Sequence, residues 1–302
     1  MTPEQIQARL KESLRNRGYI KHTPENNWGG IWEVKVPSGC KRRKFNIFRF
    51  DFRGHSSTEL EGELAFSQGN SKLRKTAKAY EKLREGKIRL VGFNLPALLS
   101  CPSAGSCVFL CYALQGNFAR KNVQRSRARN LAILYECYRR GNEDPAVGGD
   151  GSGIAFYVLD SAVVKLRIKA KRVGRKLIIR IHDSGDFFSE WYFLIWMYLA
   201  KKYPDVLVYF YTKMIGHLVR HQESLSKIPN FVAIQSEGGL FDDLIDYDKS
   251  HSKIATSLVE LENLLDSGNY VDGNDKELGD LVAISGETRI VLPYHGTETP
   301  MI

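Results

Sequence analysis

Cysteine is scarce in this chain, five in 302 residues, and the number is odd. A disulfide framework needs an even, spaced set, so it is excluded as the organising device, and a reducing compartment is implied. Long apolar runs are also missing. The longest, residues 191–200, falls well short of the roughly 18–20 residues of a membrane-crossing helix, and residues 1–14 are polar and amphipathic, unlike a basic-then-apolar leader. The expectation is a cytoplasmic protein with no membrane partner. There is no internal repeat and no visible RNA-binding or DNA-binding motif.

What is present can build a core, since 43% of residues are hydrophobic. Lys and Arg outnumber Asp and Glu by 44 to 34, a formal net charge of +10, which favours polyanionic partners such as nucleic acid or a nucleotide. Basic residues gather at 41–44, 120–129 and 165–176. Arg120, Lys121, Arg125, Arg127 and Arg129 follow a cysteine-bearing loop. They either steer a phosphate-bearing substrate or form a solvated helix face.

The few cysteines are not scattered. Cys101, Cys107 and Cys111 fall within one short loop after an apolar strand at 88–92, whereas Cys40 and Cys137 stand apart and read as packing. Structural zinc closes with four protein ligands, and a reactive site keeps one position open. An iron–sulfur cluster held by three thiolates likewise leaves one iron free. With zinc, His182 or a distant histidine would be the fourth ligand.

Residues 2–5 form a capping box, and Ile6, Leu10 and Leu14 continue it as a helix to Gly18. Residues 31–36, a turn at 37–39, and the alternation of Phe48, Phe50 and Phe52 with charged neighbours predict a small antiparallel sheet. A helix follows at 71–84. Residues 1–85 thus read as a basic α+β extension. Residues 86–302 then alternate strands and helices, the pattern of a parallel sheet or barrel. Strands are predicted at 88–92, 176–182, 206–211, 230–236, 280–285 and 289–293, and helices at 118–140, 155–172, 188–202, 215–226 and 254–266. A glycine-rich break spans 141–153.

If the strands are parallel, their C-terminal tips share a face, where such folds place their chemistry. The tips carry the cysteine loop, then His182-Asp183-Ser184-Gly185-Asp186, Tyr211-Thr212-Lys213, Gln235-Ser236-Glu237, Ser285-Gly286-Glu287 and Tyr294-His295. Singly each is ordinary turn or cap chemistry; together they predict one lined pocket. Taken alone, Asp183, Asp186 and Glu237 also permit a magnesium-dependent nuclease, a scheme that leaves the cysteines unused.

Gly69-Asn70-Ser71-Lys72, Asn94-Leu95-Pro96, Cys101-Pro102, Cys107, Cys111-Tyr112-Ala113 and the run from Arg180 to Phe187 resemble the phage "gene product 88" family over most of residues 65–295. The layout is also similar to a divergent radical S-adenosylmethionine protein. That resemblance implies a partial (β/α)6 TIM-like barrel in which Cys101, Cys107 and Cys111 hold a 4Fe-4S cluster. It further implies S-adenosylmethionine bound near Tyr112, His182, Ser184, Gly185, Asp186, Gln235 and Ser236, with Asp183, Asp186, Lys213 and Glu237 as catalytic candidates. An electron donor and a nucleic-acid or nucleotide substrate complete the expectation, in a phage protein working in the bacterial cytosol. The alternative is a non-catalytic zinc- or iron–sulfur-containing phage protein that binds nucleic acid. The chain departs from the superfamily in its C-x5-C-x3-C spacing, in lacking Gly-Gly-Glu after the second strand, and in lacking a cysteine-rich tail.

Overall fold

The fold is described from a computed structural model that covers strands β1 (Ile20–His22), β2 (Ile31–Lys35) and β3 (Ile47–Asp51), then residues 64–294 apart from 69, 85, 144–151, 276 and 287–288. The expected helix at 2–18, the turn at 37–39, Cys40, the basic residues 41–44, most of the break at 141–153, Glu287 and His295 lie outside the described residues. The first three strands form an antiparallel sheet in the order β1-β2-β3, with Trp32 opposite Phe50 and Val34 opposite Phe48. The alternation in the sequence therefore sets this register.

The second sheet has eight strands: β4 (Phe66–Ser67), β5 (Ile88–Phe93), β6 (Lys176–Ile181), β7 (Leu207–Thr212), β8 (Phe231–Ser236), β9 (His251–Ala255), β10 (Val271–Asp272) and β11 (Arg289–Pro293). Their order is β10-β11-β9-β8-β7-β6-β5-β4, parallel throughout except for β4 against β5. The chain is thus an α/β protein with a mostly parallel sheet. From β5 to β9 each strand is added on the same side of the last. Right-handed crossovers then bring the connecting helices to one face.

The α-helices among the described residues are α1 (Ser71–Leu83), α2 (Lys121–Glu143), α3 (Ser152–Lys171), α4 (Glu190–Lys202), α5 (Ile215–Arg220), α6 (Gln222–Leu225), α7 (Leu258–Asp266) and α8 (Leu281–Ile284). Helices α2 to α5 contribute Leu134, Leu159, Trp196 and Ile215 to the core against Phe93, Ile179, Ile181, Val208 and Phe210, one face of β5 to β7. Helix α4 shows why the sequence folds this way locally. Ser189 caps it by accepting from the Tyr192 N–H, Glu190 stands in its first turn and Lys201 and Lys202 in its last, each matched to the helix dipole. Seven of residues 191–200 are buried, Trp196 completely, while Tyr198 faces outward; each large apolar side chain so buried contributes roughly 1.5–3 kcal/mol.

The opposite face carries the alternate residues Leu90, Ile178 and Tyr209, covered by Leu73 of α1 and Ala283 of α8. Residues 64–83, grouped on sequence with the N-terminal extension, therefore supply both an edge strand and a covering helix to the main sheet. The strand expected at 280–285 is instead the short helix α8, because a four-residue apolar run has no periodicity to separate strand from helix. The polar strand β9 lies where no strand was expected. It displaces the start of the helix expected at 254 to Leu258.

Candidate functional site

The loop that carries the cysteines is bracketed on both sides by strand tips. Leading into it, the Asp183 N–H donates to Asn94 Oδ1 at 2.6 Å, the Leu95 N–H to the Ser184 carbonyl at 3.0 Å, and Ser184 Oγ to the Leu95 carbonyl at 2.8 Å. The Asp186 N–H donates to the Ser100 carbonyl at 3.0 Å, directly before Cys101. On the other side the N–H groups of Gly105 and Cys107 both donate to the Gly238 carbonyl, at 2.9 and 3.1 Å, and the Leu240 N–H donates to the Ser103 carbonyl at 2.9 Å. A Cβ on Gly105 would stand 2.6 Å from the Gly238 oxygen, so only glycine permits this approach. The loop thereby bridges the tips of β6 and β8.

Cys101, Cys107 and Cys111 are half-buried and line one cavity of about 1180 Å³ across the C-terminal ends of the strands. They share an apolar wall with Ala97, Leu98 and Val108. Burial pushes the Cys101 thiol well above its ordinary pKa, and the negative charges of Asp186, Cys111 and Cys107 push it further. Among the described residues no group of three or more His, Cys, Asp or Glu side chains is placed to hold a single metal ion.

The tip of β6 supplies the cavity's polar floor. His182 takes a positive φ of +66°, is buried, and meets the Tyr192 hydroxyl through Nε2 at 3.1 Å. Burial lowers its pKa to about 3, so the ring is neutral at physiological pH. Asp183 pairs with Arg180 at 2.9 Å and accepts from Asn70 Nδ2 at 3.0 Å, while its carbonyl accepts from the Tyr112 hydroxyl. Asp186 accepts from the Phe187 N–H at 2.8 Å, Thr212 Oγ1 at 2.6 Å and the Lys213 N–H at 2.9 Å. Burial raises its pKa, and these three donors offset part of the rise. Its carboxylate is thus a brace between the tips of β6 and β7.

Lys213 Nζ donates to Ser236 Oγ at 2.7 Å, and both residues line the cavity together with Tyr112, His182, Asp183, Ser184, Gly185 and Asp186. Two sequence candidates are placed elsewhere. Gln235 spends its amide on residue 246, donating to the Asp246 carbonyl at 2.8 Å and accepting from its N–H at 2.9 Å. Glu237 is outside the cavity lining, its pKa raised by burial against the lowering effects of Lys253 and His251.

Sequence reasoning gives several residues of the site no role. Asn70 accepts from the Leu73 N–H to cap α1 while its amide reaches Asp183, so one side chain joins a helix start to the site. Beneath the cavity Asp280, fully buried, accepts from Arg180 Nη1 and from the Tyr209 hydroxyl at 3.1 Å, and pairs with Lys72 Nζ at 2.7 Å. Burial works against the Asp280 charge, but Arg180 and Lys72 outweigh it and hold the carboxyl below its usual range. Lys72, Arg180 and Asp183 stand in the segments that carry the family resemblance, but Tyr209 and Asp280 do not, and the network exists only where the fold brings the five together.

Fold and site together define an α/β protein with a thiol-lined cavity at the C-terminal edge of a parallel sheet. The chain belongs to the gene product 88 family, whose model matches residues 64–285. That span includes every cavity residue named above. No curated protein and no solved structure matches the chain. Among the described residues no helix is long and apolar enough to cross a membrane.

Proposed function

We propose that this protein is an iron–sulfur enzyme of the radical S-adenosylmethionine type, with Cys101, Cys107 and Cys111 as the ligands of a 4Fe-4S cluster. The supporting observation is that three thiols line one cavity, at the edge where parallel α/β folds carry out chemistry. The one-way strand order from β5 to β9 is compatible with a partial barrel. Among the described residues the three thiols are not placed to hold a single ion; Cys101, Cys107 and Cys111 would be the residues that hold the cluster.

When bound and reduced by an external electron donor, such a cluster would supply an open iron for the amino and carboxylate groups of S-adenosylmethionine and the one electron that breaks its sulfur–C5′ bond, giving methionine and a 5′-deoxyadenosyl radical. The chain's own residues then have separable tasks. Ala97, Leu98 and Val108 exclude water from the thiols. Asp186, Thr212 and the Lys213 backbone lock two strand tips, so that Ser184 and Gly185 present a fixed backbone to the cavity. Lys213 holds its ammonium at Ser236, ready to exchange that hydroxyl for an anionic group of a reactant. Tyr112 stays protonated, its pKa raised by burial, and fixes the Asp183 backbone.

The test is product analysis: anaerobically reconstituted protein, reduced in the presence of S-adenosylmethionine, is expected to release 5′-deoxyadenosine, and Cys107→Ala to release none. Protein that holds iron and sulfide yet yields no 5′-deoxyadenosine overturns the enzymatic reading. Zinc in the purified protein, with steeply salt-dependent binding of DNA or RNA, would replace it with the non-catalytic role.

A further inference from the structure

The five basic residues 120, 121, 125, 127 and 129 do not share one environment. Arg120, Lys121 and Arg125 are exposed and Arg129 is half-buried, but Arg127 is only 5% exposed. Its guanidinium makes no hydrogen bond or ion pair to any described residue, and Nη1 is enclosed without a partner. It lies 4.6 Å over the ring of Phe118, three residues before α2 begins, so it leans back toward the N-terminal end of its own helix. Its side chain lines the cavity. The carboxylate nearest in effect, Asp183, is already engaged by Arg180 and Asn70.

Two further observations point the same way. The first-turn N–H groups of a helix have no partner within the helix, and α2 carries no acidic residue there. Asn122, Val123 and Ser126 of its first two turns line the cavity beside Arg127. The cavity is lined by seven basic side chains (residues 72, 74, 75, 120, 127, 180 and 213) and three acidic ones (183, 186 and 275); with Asp280, which pairs with Lys72 and Arg180 beneath it, the excess is three positive charges. A monoanion would leave the guanidinium and the helix terminus only partly matched; a phosphate matches both.

We propose that Arg127, with Ser126 and the N-terminal turn of α2, forms a subsite for the phosphate group of a small phosphate monoester, such as a nucleotide. Arginine suits this because its planar fork binds two phosphate oxygens at once. The subsite deepens the proposed function by naming a substrate class, yet it needs no metal, so it can be tested in metal-free protein and its failure leaves the iron measurements untouched.

Inorganic phosphate, titrated calorimetrically into the full-length protein in a chloride buffer, is expected to bind at one site. Arg127→Gln should weaken that binding at least tenfold and Arg127→Lys, which keeps the charge but loses the fork, about fivefold or more. Arg125→Gln, an exposed change on the same helix, should alter it less than about twofold. Should Arg127→Gln fail to fold, modification of the wild-type protein by phenylglyoxal decides: Arg127 should react in phosphate-free buffer and be protected by phosphate. No phosphate binding by the wild type overturns the subsite, as does equal loss in the Arg125 and Arg127 variants, or no protection of Arg127. Binding of a single-stranded oligonucleotide without binding of phosphate would also overturn it, in favour of a nucleic-acid surface.

Discussion

Gly185→Ala probes how closely the cysteine loop is built onto β6. Gly185 has φ +88°, and a Cβ placed on it would stand 2.5 Å from Ser100 Oγ and 2.7 Å from Leu95 Cβ. Ser100 cannot swing aside freely, since its hydroxyl donates to the Pro96 carbonyl at 2.7 Å within the buried turn that leads to Cys101. Gly174→Ala is the control. Its φ is +64° and nothing lies within 4 Å of the added Cβ. Both variants incur the left-handed backbone cost of about 1–2 kcal/mol. Gly185→Ala adds overpacking of roughly 1–3 kcal/mol, for a total of about 2–5 kcal/mol. Urea denaturation of the two variants measures the difference, and cluster content after reconstitution shows whether the strain reaches the neighbouring cysteine. Equal destabilisation by the two substitutions would refute the close packing of loop against strand tip; intact iron binding in a strongly destabilised Gly185 variant would refute the link to Cys101.

Three other outcomes follow from the buried polar groups. Burial lowers the His217 pKa to about 4 against about 6.5 unfolded, so below pH 6.5 the unfolded state binds a proton that the native state does not. Its contribution to stability therefore falls as pH drops from 6.5 toward 4, by up to about 1.4 kcal/mol per pH unit, and His217→Met should remove that slope from denaturation curves taken at pH 5 and 6. Asp280→Asn strips Arg180 and Lys72 of a fully buried partner and should cost about 3–5 kcal/mol in urea melts, more than Lys72→Met, whose side chain is partly exposed. Asn70→Ala removes both a helix cap and a hydrogen bond to Asp183; thermal denaturation should report a loss of about 1–2 kcal/mol, and a loss near zero would deny the double role.

The parallel sheet is legible in the sequence where a strand is apolar on both faces. Residues 176–181 read Lys-Leu-Ile-Ile-Arg-Ile, and the alternation of Ile179 and Ile181 with Ile178 and Arg180 gives each sheet face its side chains. Strand β9 is hidden because His251, Ser252 and Lys253 give no apolar period, their burial coming from neighbours distant in sequence. Helix α8 is misread for the reverse reason. The site divides in the same way. The cysteines and the tip of β6 stand together in sequence and are found there, whereas Asn70, Asn94, Arg180 and Asp280 acquire their roles only when strands and helices meet. Arg127 is visible as a basic residue, but nothing local distinguishes it from its exposed neighbours, because its burial depends on Phe118 and the cavity wall. Gln235 and Glu237 sit at a strand tip as expected and face other partners, since consecutive strand residues point to opposite faces.

Metal content with electron paramagnetic resonance, on protein purified and reconstituted without oxygen, bears most directly on the three thiols as ligands of one cluster. The account predicts about four iron and four sulfide per chain and a cluster signal on reduction, all lost when any one of Cys101, Cys107 or Cys111 becomes alanine while Cys137→Ala leaves them unchanged. Stoichiometric zinc with no sulfide, or iron binding that survives the three alanine substitutions, would contradict it.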